Sequence, residues 1–90
     1  MRTVWKYEIP MHGVAEFQLM IPAPAKVINV DMQGITPTMW IELNPDNPTF
    51  PKHFSIVGTG HEIPVNATHV GSWQMEGGSF VFHLYEHSGR

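Results

Sequence analysis

The stretch Glu16–Pro24, EFQLMIPAP, decides the fold class. Along residues 16–21 the side chains of one face are all apolar, and the other face is more polar. The first face has Phe17, Leu19 and Ile21, and the second has Glu16, Gln18 and Met20. Pro22 and Pro24 then end the alternation, because proline cannot donate a hydrogen bond to a ladder. The stretch therefore predicts a half-buried β-strand that stops at a proline turn.

Runs of similar composition lie on either side of this strand. They span residues 2–9, 26–32, 36–43, 53–57, 69–75 and 79–86. Eight prolines and eight glycines punctuate the chain, and no window of a dozen residues free of both carries an apolar helical stripe. The sequence therefore predicts an all-β fold, a small antiparallel β-sandwich or partly open barrel of about seven short strands.

The connections are predicted from their glycines and prolines. Gln33-Gly34 and Glu76-Gly77-Gly78 contain the glycines that tight hairpin turns need for positive φ angles. Residues 44–52, NPDNPTFPK, hold three prolines and are predicted to form a loop. The large apolar side chains that a small core needs are expected from Trp5, Trp40 and Trp73.

Length and composition favour one domain over residues 1–90. The chain has no cysteine, which excludes disulfides, thiolate metal sites and cysteine nucleophiles. Residues 1–10 contain no apolar run of the length of a signal peptide, and no segment is apolar enough to span a membrane. We therefore expect a cytoplasmic protein with no membrane partner. A sheet this small has unpaired edges, which favours a homo-oligomer.

The charge distribution argues against duplex nucleic acid as a partner. The formal net charge is −3 at pH 7, and duplex binding draws its affinity from basic side chains that neutralise phosphates. The basic residues do not cluster; they are Arg2, Lys6, Lys26, Lys52 and Arg90. We expect no duplex nucleic acid to bind.

The segment Gly58-Thr59-Gly60-His61 has the most unusual composition in the chain. Glycines around a small hydroxyl residue after a strand can bring backbone N–H groups round an anion. The segment lacks the G-x-G-x-x-G fingerprint and the lysine of a P-loop, and a glycine-rich sheet corner would have the same composition. Both interpretations stay open, and Gly58, Thr59, Gly60 and His61 are the predicted ligand-binding residues.

Six histidines make metal binding and catalysis worth testing against the spacing. His83 and His87 are four apart on one strand, about 13 Å along the chain at 3.3 Å per residue, too far to chelate one ion together. Ser55, Ser72 and Ser79 stand in no nucleophile elbow or triad signature. We expect no metal, no cofactor, no catalytic residue and no enzyme activity.

Several motifs together resemble a known family. They are W-K-Y at residues 5–7, P-A-P-A-K-V at 22–27, Trp40, G-T-G-H-E-I-P at 58–64 and G-G-S-F-V-F-H at 77–83. The pattern resembles a family of small uncharacterised proteins encoded by tailed bacteriophages and prophages. The resemblance covers nearly the whole chain and implies a phage-related context in a bacterial host, without an activity.

The expectation is a non-enzymatic phage or prophage accessory binding protein in the bacterial cytoplasm. Its partner would be a host protein or a small phosphorylated ligand. Three alternatives stay open: a sponge for a defence signalling cyclic nucleotide, a minor virion or assembly component, and a small hydrolase.

Overall fold

A computed structural model describes residues 1–11 and 13–88 and contains seven β-strands. They are β1 (Thr3–Glu8), β2 (Glu16–Pro22), β3 (Lys26–Gln33), β4 (Thr36–Leu43), β5 (Thr49–Gly58), β6 (Ala67–Met75) and β7 (Phe80–His87). A short 3₁₀ turn, Glu76–Gly78, joins β6 to β7. Within the described ranges, no helix has the length and apolar character needed to cross a membrane.

The strands form two antiparallel sheets that pack face to face. One sheet has three strands in the order β1-β4-β3, and the other has four in the order β2-β5-β7-β6. The two sheets do not close into a barrel. The predicted all-β antiparallel sandwich of seven strands is therefore confirmed.

The core lies between the inner faces of the two sheets. Met39, Ile41 and Leu43 alternate along β4 with outward-facing residues and are at most 1% exposed. Phe54 of β5 and Leu84 of β7 meet them from the other sheet and are fully buried. Side chains with a period of two along each strand thus produce one apolar layer between two more polar outer faces.

Both predicted glycine turns are present. Gly34 lies at the β3–β4 turn with a φ of 63°, and Gly77 and Gly78 in the β6–β7 turn have φ angles of 65° and 97°. Only glycine adopts such angles without steric cost, which explains why both hairpins turn at these positions.

The prediction of a loop over residues 44–52 is wrong for residues 49–52. Strand β5 begins at Thr49, so the loop ends at Pro48. Strand β7 pairs only with Phe54–Gly58, which leaves the first half of β5 an edge on that side. An edge strand tolerates Pro51, because on the unpaired side there is no neighbouring strand to which a backbone N–H would donate.

The expectation that all three tryptophans fill the core is right only for Trp73, which is 3% exposed. Trp5, on edge strand β1, is 40% exposed. Trp40 is half-buried on the outer face of the three-stranded sheet, in register with Lys6 and Asn29. Its neighbours Met39 and Ile41 occupy the inner positions, and alternation sends Trp40 outward.

Candidate functional site

The register of the four-stranded sheet brings four of the six histidines to its outer face. Phe54 and Leu84 point into the core, so their chain neighbours point the opposite way. We call this surface the imidazole face, and it comprises His53, His69, His83 and His87 together with Ser55, Thr59 and Tyr85. Three strands, β5, β6 and β7, supply it, and Thr59 follows directly on β5.

At one end of the imidazole face, a serine and a histidine form a short hydrogen bond. The Oγ atom of Ser55 lies 2.6 Å from Nε2 of His87. A cleft of about 280 Å³ opens beside them, lined by Glu16, Phe17, Gln18, His53, Phe54 and His87. Among the described residues, no carboxylate is hydrogen-bonded to His87, and Ser55 is only 2% exposed. The pair has the geometry of a hydroxyl and its base, without an orienting acid or an accessible nucleophile.

At the other end, His83 is fixed by Thr59. The Thr59 hydroxyl donates to the carbonyl of Val81 at 3.2 Å, and its oxygen lies 3.0 Å from Nε2 of His83. A hydroxyl carries only one proton, so with that proton on the Val81 carbonyl, Nε2 of His83 is the donor of the second bond. His83 is then the Nε2–H tautomer, and its Nδ1 has an available lone pair.

His69 completes a small aromatic cluster in the middle of the face. Its ring centroid lies 5.6 Å from that of His83 with a tilt of 52°, and 5.3 Å from that of Tyr85 in an edge-on arrangement. His69 is directly opposite Tyr85 in the register, next to an irregularity between His69 and Gly71. Cross-strand pairing therefore brings together side chains that are 14 and 16 residues apart in sequence.

The predicted ligand-binding segment Gly58–His61 is a tight turn at the end of β5. The amide of Thr59 donates to the Val81 carbonyl at 3.2 Å, and that of His61 donates to the Gly58 carbonyl at 3.0 Å. Gly60 has a φ of 90°. Two of the amides that an anion nest would use therefore donate within the chain.

The side chains of this turn lie on opposite sides of the sheet. Thr59 joins the imidazole face, while the His61 ring lies against Gly58, where an added Cβ would come within 2.9 Å of its Nδ1. Gly58 and His61 line a groove of about 300 Å³ with Met11, Ile56 and Phe82. The four residues are thus adjacent without converging on one point, and ligand binding by them stays a prediction.

No group of three or more metal-ligating side chains occurs within residues 1–11 and 13–88. The charged groups near the face are few. Glu16 is opposite Ser55 in the register, whereas Lys52 is on the inner side and forms an ion pair with Glu86 at 2.9 Å. The face is therefore rich in imidazole and hydroxyl groups and poor in formal charge.

Sequence reasoning missed the imidazole face. Ser55 and His87 are 32 residues apart, and only the antiparallel pairing of β5 with β7 brings them together. One signal was present, because His83, Tyr85 and His87 alternate along β7 with Phe82, Leu84 and Glu86. That alternation indicates which side chains share one face of β7, but it does not indicate which strands pair with β7.

Comparisons with known proteins place the chain in one family. No curated protein and no solved structure matches it. The model of a family described as a domain of unknown function, DUF7352, matches residues 1–90, the whole chain. Through this match over its whole length, the chain belongs to the DUF7352 family.

Proposed function

We propose that this chain is a non-enzymatic accessory binding protein of a phage or prophage that binds a host protein through the imidazole face. The observation that carries the proposal is the gathering of four histidines, Tyr85 and two hydroxyl residues on one face of the four-stranded sheet. The motif resemblance supports the phage setting and the bacterial cytoplasm as the place of action.

The composition of the face favours a protein over a phosphorylated ligand. Phosphate recognition relies on lysine and arginine. Among the described residues, Lys52 is the one Lys or Arg on a strand of this sheet, and it forms its ion pair on the inner side. The cores of protein interfaces are depleted of charged residues and enriched in tyrosine. An imidazole offers both a donor and an acceptor, which suits the mixed polar groups of a protein surface.

Site-specific photo-crosslinking in host extract tests this proposal. Ser72 is exposed and opposite His83, so a photo-reactive residue at position 72 should cross-link the partner. Val4, which is 45% exposed on the outer face of the other sheet, is the matched control position. We expect one dominant adduct from position 72, competed by the unlabelled chain and absent from position 4.

Two further variants decide whether the adduct depends on the face. Tyr85→Ala and His69→Ala should each abolish the position-72 adduct while circular dichroism shows an intact β-sheet. The same adducts from both positions, or adducts unaffected by these variants, would refute the imidazole face as the binding surface.

A small hydrolase is the second candidate, favoured by the 2.6 Å bond between Ser55 and His87. In such an enzyme His87 would take the Ser55 proton as Oγ attacks an ester carbonyl, and would give that proton to the departing alcohol. Water, deprotonated in turn by His87, would then hydrolyse the acyl-serine and release the acid. The burial of Ser55 argues against it. A fluorophosphonate probe should therefore leave the protein unlabelled; labelling that Ser55→Ala abolishes would establish the hydrolase instead.

A further inference from the structure

We propose that His69 and His83 form a two-imidazole site for a divalent transition-metal ion. The site lies on the outer face of the β6–β7 pair, between the middle of the imidazole face and its end at Thr59. It does not depend on a protein partner, and it can be tested with the metal alone.

The separation of the two rings fits one shared ion. Zinc binds a ring nitrogen at about 2.0 to 2.1 Å and then lies about 3.2 Å from the ring centroid. Two rings on one ion therefore have centroids no more than about 6.4 Å apart. The centroids of His69 and His83 are 5.6 Å apart. This differs from the pair His83 and His87, whose spacing along one strand is too long.

The hydrogen bonds of His83 prepare it to bind a metal. With the Thr59 hydroxyl proton on the Val81 carbonyl, the 3.0 Å contact to Thr59 assigns the ring proton of His83 to Nε2, and Nδ1 keeps its lone pair. Metal-bound histidines commonly donate their second ring N–H to such a fixed acceptor, which holds the tautomer and the ring orientation. Thr59, at the predicted ligand-binding turn, thus acts as a positioning residue for His83.

The donor set indicates the class of metal. Two imidazoles without thiolates suit Zn²⁺, Ni²⁺ and Cu²⁺, whereas Mg²⁺ and Ca²⁺ prefer oxygen ligands. Water would occupy the remaining coordination positions, because no third metal-ligating side chain joins the pair among the described residues. An open coordination sphere of this kind is also accessible to an outside ligand.

Titration of the purified chain with Zn²⁺ tests the site. We expect isothermal titration calorimetry to give one ion per chain, with the largest imidazole chemical-shift changes at His69 and His83. His69→Ala and His83→Ala should each remove the binding isotherm, and Thr59→Val should weaken binding by about tenfold or more. Mg²⁺ should not compete.

His53→Ala is the matched control, because His53 lies on the same face but belongs to the cleft beside His87. It should bind Zn²⁺ like the wild type. Thermal melts without metal should show that His69→Ala folds, since His69 is an exposed residue. Loss of binding in His53→Ala, retention in His69→Ala, or no binding by the wild type up to millimolar Zn²⁺ would overturn the proposal.

Discussion

Trp73 is the tryptophan on which the core depends. It is 3% exposed and stacks on Phe82 with ring centroids 5.9 Å apart. We expect Trp73→Ala to lower the free energy of unfolding by about 3 to 5 kcal/mol, the usual cost of truncating a buried aromatic. Trp40→Ala should cost less, because the Trp40 ring is only half-buried on an outer face. Chemical denaturation of both variants gives the comparison, and an equal loss would contradict it.

Gly71 is required by the close approach of β6 to β3. A Cβ at this position would lie 2.5 Å from Cβ of Val30, a distance that forces one strand to move. Gly71→Ala should therefore cost about 1 to 3 kcal/mol by overpacking. Gly71→Ala should cost less in a Val30→Gly background, which lacks the clashing Cβ, than in the wild type, as measured by denaturant titrations. Ser72→Ala, at the exposed neighbouring position, is the control and should be nearly neutral.

Tyr7 should make stability fall at alkaline pH. Burial raises the pKa of its phenol above the ordinary value of 10.0. The folded state thus favours the neutral phenol. Its contribution to the free energy of unfolding is complete below pH 10.0 and is lost as pH rises through the higher folded-state pKa. Denaturation midpoints measured from pH 8 upward should decline less in Tyr7→Phe. If the denaturation midpoints of the wild type and of Tyr7→Phe declined equally, ionisation of Tyr7 would not contribute to the loss of stability.

At the scale of elements, the turn after β5 can be tested as an anion site. The Thr59 and His61 amides already donate to carbonyls, so inorganic phosphate has only the Gly60 amide to approach without breaking those bonds. In a phosphate titration up to millimolar concentration, we expect shifts of the Thr59 and His61 amides to stay small. Saturable shifts of all three amides would instead establish the anion nest predicted from the sequence.

The proline pattern of the sequence predicts only part of the structure around strand β5. Three prolines in nine residues predict a loop, and the first of these residues do form one. Residues 49–52 pair with β2 despite Pro51, since β7 does not extend to that half of β5. Whether a proline ends a strand depends on which side of the strand has a neighbour, and sequence patterns do not contain that information.

At the scale of the whole molecule, the surface carries many exposed large apolar side chains. Among the described residues, ten large apolar side chains are 40% to 90% exposed, whereas nine hydrophobic residues are buried. The accessible surface of 5741 Å² exceeds the roughly 5300 Å² expected for a monomer of 10.2 kDa. Strands β1 and β2 are sheet edges. These features favour association with a second copy.

We therefore expect sedimentation equilibrium at tens of micromolar protein to give a dimer. Ile35, 90% exposed on the β3–β4 turn, is the most exposed of these side chains. If the turn lies in the interface, Ile35→Glu should shift the equilibrium toward the monomer, and Ile35→Val should not. A wild-type monomer throughout the concentration range would contradict the predicted homo-oligomer.

The sequence alone determined the class of fold, because period-two alternation and frequent prolines and glycines act over a few residues. It also located both hairpin turns, whose glycines meet a local backbone requirement. Strand order was decided only by the tertiary structure, since pairing of β7 between β5 and β6 joins residues distant in the chain. The imidazole face follows from that pairing: His69, His83 and Thr59 become neighbours through cross-strand register, a property that no local pattern encodes.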